Sequence, residues 1–82
     1  MKAIETRYLG PTSVKCSRIK ATDDDHNSVT ISVNYAQSSE ENQQRACRIL
    51  CEKMGWTGTL IGGHTAKGMA WVWQDDKYTF TV

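Results

Sequence analysis

Hydrophobic and polar residues alternate most clearly in "SVTISVNY", residues 28–35. Val29, Ile31, Val33 and Tyr35 fall on one side there, and Ser28, Thr30, Ser32 and Asn34 on the other. A period of two predicts a strand with one buried face. "SRIKAT", residues 17–22, alternates Arg18 and Lys20 with Ile19 and Ala21, so one face is basic and the other apolar. "KAIETRYL", residues 2–9, mixes branched and aromatic side chains and stops at Gly10-Pro11, as a strand running into a turn does. The intervening "DDDHN" has turn composition, which predicts a hairpin between the second and third strands.

The period then changes to 3.6. Ala46, Cys47, Ile49, Leu50, Cys51 and Met54 share one helical face, with Glu41, Arg45, Arg48 and Glu52 opposite. Ser38 and Glu41 have capping-box spacing, in which each side chain satisfies a backbone N–H that the helix leaves unpaired. Gly55 is placed for a left-handed C-terminal cap with Trp56 folding back behind it. A helix over residues 39–54 follows. Glu41 with Arg45, and Arg48 with Glu52, have the spacing of surface ion pairs.

Beyond the helix, "TGTLIGG" reads as a strand, "HTAKG" as a loop and "MAWVWQ" as a strand. Asp75-Asp76 forms a tight turn, and "KYTFTV" alternates again with Tyr78, Phe80 and Val82 on one face. The predicted class is α+β, in the order βββαββ with an optional extra C-terminal strand. A mainly antiparallel sheet of five to six strands then carries one helix on one face. Its other face is left to solvent or a partner.

The chain has 82 residues, enough for a single domain spanning residues 1–82 with a thin stability margin. Ten basic residues against nine acidic leave a net charge of +1. Such balance speaks against a protein living on phosphate contacts and against a wholesale DNA mimic. Partners must be sought in patches. The N-terminal residues lack the apolar stretch of a signal peptide, and no segment is apolar enough to span a membrane, so a cytosolic location is expected. Three cysteines fit reduced thiols.

No motif announces chemistry. Asp23, Asp25 and Asn27 imitate the opening of a calcium loop, but Ser28 and Asn34 stand where it needs glycine and a bidentate glutamate. A polar turn is the better reading. Cys47 and Cys51 lack further ligands at zinc spacing and read as core thiols, so no metal is expected. Cys16, beside Lys15 and Arg18, has no base nearby in sequence to make it a nucleophile. "GGHTAKG" lacks phosphate-loop spacing. No catalytic residue and no cofactor are expected.

Two features are available for contact with a partner, although a solvated strand face is the commonest origin of the basic alternation. Arg7, Lys15, Arg18 and Lys20 concentrate positive charge in the first two strands, with Glu5 the acid among them. Arg18 and Lys20 fall on the face away from the helix. Met69, Trp71 and Trp73 share one face of their strand, and Ala70, Val72 and Gln74 the other. If the small residues meet the helix, Trp71 and Trp73 are exposed as a stacking platform or hot spot; if not, they are core. Periodicity leaves both arrangements open.

"MKAI-T-YLGPT", "SRIKATD", "NSVTI" and "CEKMGWTG" with the following "GG" resemble a group of short proteins carried by phages and other bacterial mobile elements. The similarity extends to about residue 63. Lys15 and Cys16 stand where members of that group carry arginine and glycine. Proteins of this kind, anti-CRISPR proteins among them, block a host machine by contact. The resemblance implies a binding protein rather than an enzyme, a stoichiometric inhibitor of a bacterial Cas effector acting by protein contact in the host cytoplasm; direct nucleic-acid binding is not expected of so balanced a charge. The partner-binding candidates are Arg7, Lys15, Arg18, Lys20, Trp71 and Trp73. The alternative is a small nucleic-acid-binding accessory protein of a phage or mobile element.

Overall fold

The computed structural model describes residues 3–13, 16–76 and 79–82. Three strands, β1 (Ala3–Leu9), β2 (Arg18–Asp23) and β3 (Ser28–Ser32), precede one helix, α1 (Ser39–Met54). β4 (Leu60–His64) and β5 (Gly68–Trp73) follow, closed by a 3₁₀ turn at Gln74–Asp76. The five strands form one antiparallel sheet in the order β3-β2-β1-β5-β4. This is the expected α+β arrangement.

Both helix ends are closed as the sequence predicts. Glu41 N–H donates to Ser38 Oγ and Ser38 N–H to Glu41 Oε1, 3.1 Å each. At the other end Gly55 takes φ +74°, and its N–H and that of Trp56 donate to the carbonyls of Glu52 and Cys51. The buried face of α1 (Ala46, Cys47, Leu50 and Cys51) meets Ile4, Ile19, Ala21, Met69 and Trp71, with Val29, Ile31, Val33 and Met54 packed around them. Arg45 departs from the expected pairing with Glu41. That carboxylate is engaged at the cap, and Arg45 Nη2 instead donates to Ser32 O (2.7 Å) and Asn42 Oδ1 (3.1 Å).

Two strand expectations need correction. The third strand ends at Ser32 rather than Tyr35, and Tyr35 is exposed. Asn42, only 2% exposed, causes this. Its side chain accepts from Asn34 N–H (2.8 Å) and donates to Asn34 O (2.9 Å), so Asn34 turns to the helix instead of continuing the ladder. An optional sixth strand was expected over residues 77–82. Lys77 and Tyr78 lie outside the described residues, and residues 79–82 form no strand, with Phe80 88% exposed.

Leu50, with no exposed surface, sits at the centre of the core. Leu50→Ala should therefore cost about 2–5 kcal/mol, much of a small domain's stability. Chemical denaturation checks it, and an unmoved midpoint would reject the assigned face. A Cβ at Gly68 would strike the backbone at Thr6 O and at Arg7 Cα. Gly68→Ala should cost at least about 1–3 kcal/mol, read in the same assay.

Candidate functional site

The register decides which side chains share a face. Ile4, Thr6 and Tyr8 of β1 stand opposite Asp23, Ala21 and Ile19 of β2 and look toward the helix. Glu5, Arg7 and Leu9 stand opposite Thr22, Lys20 and Arg18 and look the other way. The β1–β5 register places Trp71 opposite Ile4 and Met69 opposite Thr6, so the tryptophan row belongs to the helix side. Ala70 and Val72 occupy the open face.

That settles the alternative the sequence left open, and it corrects two candidates. Trp71 is 8% exposed, and its Nε1–H donates to Thr6 Oγ1 (3.0 Å), whose hydroxyl donates to Gln43 Oε1 (2.9 Å). Trp73 is half-buried, donates to Thr57 O (2.8 Å), and meets Trp56 edge-to-face with ring centroids 5.8 Å apart. Neither ring stands on the open face as a stacking surface. Both are structural: Trp71 lies over Gly62 and Trp73 beside Gly58, and a Cβ at either glycine would collide with the indole.

The basic candidates fare differently. Arg7 is exposed, and Lys20, directly across the β1–β2 ladder, is half-buried. Arg18, also half-buried, stands one pair further along, opposite Leu9. Lys15 lies outside the described residues. Lys67 joins the group from the β4–β5 loop. It lines a groove of about 280 Å³ with Glu5, Arg7, Lys20, Thr22 and Thr65, and a neighbouring depression with Arg7, Tyr8, Leu9 and Arg18. The loop is held over this face by Thr65, whose Oγ1 accepts from the N–H groups of Lys67 (3.3 Å) and Gly68 (3.1 Å). Sequence reasoning placed this lysine only in a flexible turn; the glycine-threonine loop composition was visible, but not the side of the sheet it overhangs.

Like charges directly opposed across a ladder disfavour pairing. Arg7 and Lys20 nevertheless face each other, and among the described residues none of the four cations has an ion-pair partner. Glu5 shares the groove with these cations, one acid among four basic residues; the hairpin acids lie in the Asp23–Asp25 turn and the helical ones at Glu40, Glu41 and Glu52. A nearly neutral protein thus carries a locally positive open face.

The remaining candidates are structural. Asp23 is buried; its Oδ1 accepts from Asp25 N–H (3.0 Å) and Asn27 N–H (2.8 Å), and its Oδ2 from Asn27 Nδ2 (2.9 Å). Those bonds organise the hairpin in which His26 takes φ +68°. The three aspartates bring ligand oxygens within 4.8 Å of one another, but two of the three are exposed and the third is spent on the turn. On the helix side, a groove of about 320 Å³ between α1 and β4 is lined in part by Cys47, Cys51, Trp56, Leu60 and Trp71. Burial, with Cys51 beside it, pushes the Cys47 thiol up to about 12, and burial raises Cys51 too. Thiols that hold their protons so firmly are poor nucleophiles and poor metal ligands.

Burial holds the folded Cys47 thiol up at about 12, against an ordinary value of 9.0. Its contribution is complete below about pH 9 and declines as pH rises above it, by at most about 1.4 kcal/mol per pH unit. Denaturation from pH 8 to pH 11 should show a shallower decline for Cys47→Ala than for wild type. Equal slopes would show that the thiol is accessible to solvent.

No family model matches the chain, and no curated protein and no solved structure matches it significantly.

Proposed function

We propose that this chain is a small phage- or mobile-element-encoded inhibitor of a bacterial CRISPR-Cas effector, acting in the host cytoplasm. It binds stoichiometrically through its open sheet face and catalyses nothing. The supporting observation is the convergence of Arg7, Arg18, Lys20 and Lys67 on that face without ion-pair partners among the described residues. Unpaired cations gain most from an acidic partner surface, which speeds encounter and fixes orientation. Arg18 and Lys20 are half-buried against the sheet, so less side-chain freedom remains to be lost on binding. The resemblance over residues 1–63 supplies the class of target.

A nucleic-acid-binding accessory protein would use the same face for phosphate. Its second requirement, aromatic rings presented to bases, loses support because Trp71 and Trp73 lie on the helix side. Phosphate contact alone would show a steep fall of affinity with salt.

Reversing Arg18 and Lys20 together to glutamate tests the proposal. Exposed substitutions change stability by only about ±0.5 kcal/mol, and these half-buried ones should stay folded. Inhibition, measured as phage plating on a CRISPR-immune host or as target-DNA binding by the Cas complex, should be abolished at matched expression. A folded double variant that still inhibits would show that the basic face is only solvated surface. Wild-type protein that protects phage from no CRISPR type would end the inhibitor reading. Salt-sensitive binding to free DNA or RNA would favour the alternative.

A further inference from the structure

The two edges of the sheet are finished differently. On β3, bonds from Val33 N–H to Ser17 O and from Asp23 N–H to Asn27 O fix the ladder phase. The N–H and C=O groups of Ser28, Thr30 and Ser32 therefore point outward. The helix closes this edge from above. Lys53 Nζ donates to Ser28 O (3.1 Å) and Arg45 Nη2 to Ser32 O (2.7 Å). A strand approaching β3 would have to displace two cations from their carbonyls.

β4 has no such guard. Bonds from Gln74 N–H to Thr59 O and from Thr65 N–H to Gly68 O turn the backbone of Leu60, Gly62 and His64 outward. Among the described residues, nothing takes up those N–H and C=O groups. The strand "LIGGH" carries no lysine, acid or proline, the devices that protect an edge from added strands.

We propose that the free edge of β4 pairs with the same edge of a second copy of this chain, antiparallel about a two-fold axis at Gly62. Strand β4 is complementary to itself in that register. Gly62 faces its own copy, and Leu60 faces His64, with each pair exchanging both backbone bonds. On the open face Ile61, 40% exposed, meets Gly63, where a Cβ would find nothing within 4 Å. No lysine, arginine or acid meets a like charge, in contrast to an approach over the basic β1–β2 face. A five-residue edge buries well under the roughly 1,200 Å² of a stable interface, so the dimer is weak and reversible.

Sedimentation equilibrium of the full chain over a wide concentration range tests this. The mass should rise from monomer towards dimer. Ile61→Lys, which places a charge opposite Gly63 of the other copy, and His64→Pro, which removes one outward N–H, should each weaken association at least about tenfold. Both should keep the wild-type circular dichroism. Amide exchange in the wild-type protein gives a reading independent of any variant: the N–H groups of Leu60, Gly62 and His64 should become protected as concentration rises. A monomer at every concentration overturns the proposal. So does a dimer that survives in both folded variants, or exchange at these amides that ignores concentration. If the protein alone stays monomeric but folded Ile61→Lys loses inhibition, the edge serves a foreign strand and self-pairing is wrong.

Discussion

One sixteen-residue helix has to seal one side of five strands, and the rest of the structure follows from that shortage. Strands are spaced about 4.8 Å apart, while a helix with its side chains is about 10 Å across, so α1 cannot cover the sheet alone. It packs on β1, β2, β3 and β5. The inner side of β4 is covered by indoles instead: Trp71 lies on Gly62, and Trp73 lies between Gly58 and Trp56. Large aromatic area therefore does work that a second helix would do in a larger domain. This is why the tryptophans pack on the helix side of the sheet and not on its open face.

The helix and its limits were legible because their determinants are local. Ser38, Glu41 and Gly55 act within one turn of themselves, and the apolar face repeats every 3.6 residues. The direction in which β5 faces was not local. A period of two separates Trp71 from Ala70 and Val72, but only pairing with β1 says which set shares a side with Ile4. The early end of β3 depended on a contact of the same kind. Asn42 is a polar residue within an otherwise readable helical pattern, and it captures the backbone of Asn34, eight residues earlier in the connection from β3. The alternation through Tyr35 carries no trace of it.

The candidate surface divides along the same line. Arg18 and Lys20 were readable as a face because they alternate with Ile19 and Ala21 within one strand. Their convergence with Arg7 depends on the β1–β2 register, and their convergence with Lys67 on a loop that crosses from β4 to β5. Acidic residues could have neutralised this cluster across the ladder, yet Thr22 and Ala70 flank Glu5, and Lys20 stands opposite Arg7. The balanced total charge hides the separation. Only the fold brings Arg7, Arg18, Lys20 and Lys67 together on the open face with Glu5 as the acid beside them, while Asp23–Asp25 gather at the hairpin tip and Glu40, Glu41 and Glu52 on the helix.

Helix placement also accounts for the difference between the two edges. Because α1 lies over the β3 side, Arg45 and Lys53 are within reach of outward carbonyls at Ser32 and Ser28. The same placement leaves β4 beyond the reach of those cations; what the helix offers there is Glu40, 3.5 Å from the exposed His64 side chain. That contact engages the imidazole and leaves the backbone of His64 unbound. Gly62 must stay glycine to admit Trp71, so the residue at the middle of the free edge cannot become lysine or another charged guard without unseating the indole beneath it. The packing that completes the core thus keeps the edge bare, and an exposed, uncharged row of amides and carbonyls follows from the way a single helix and three tryptophans share one sheet face.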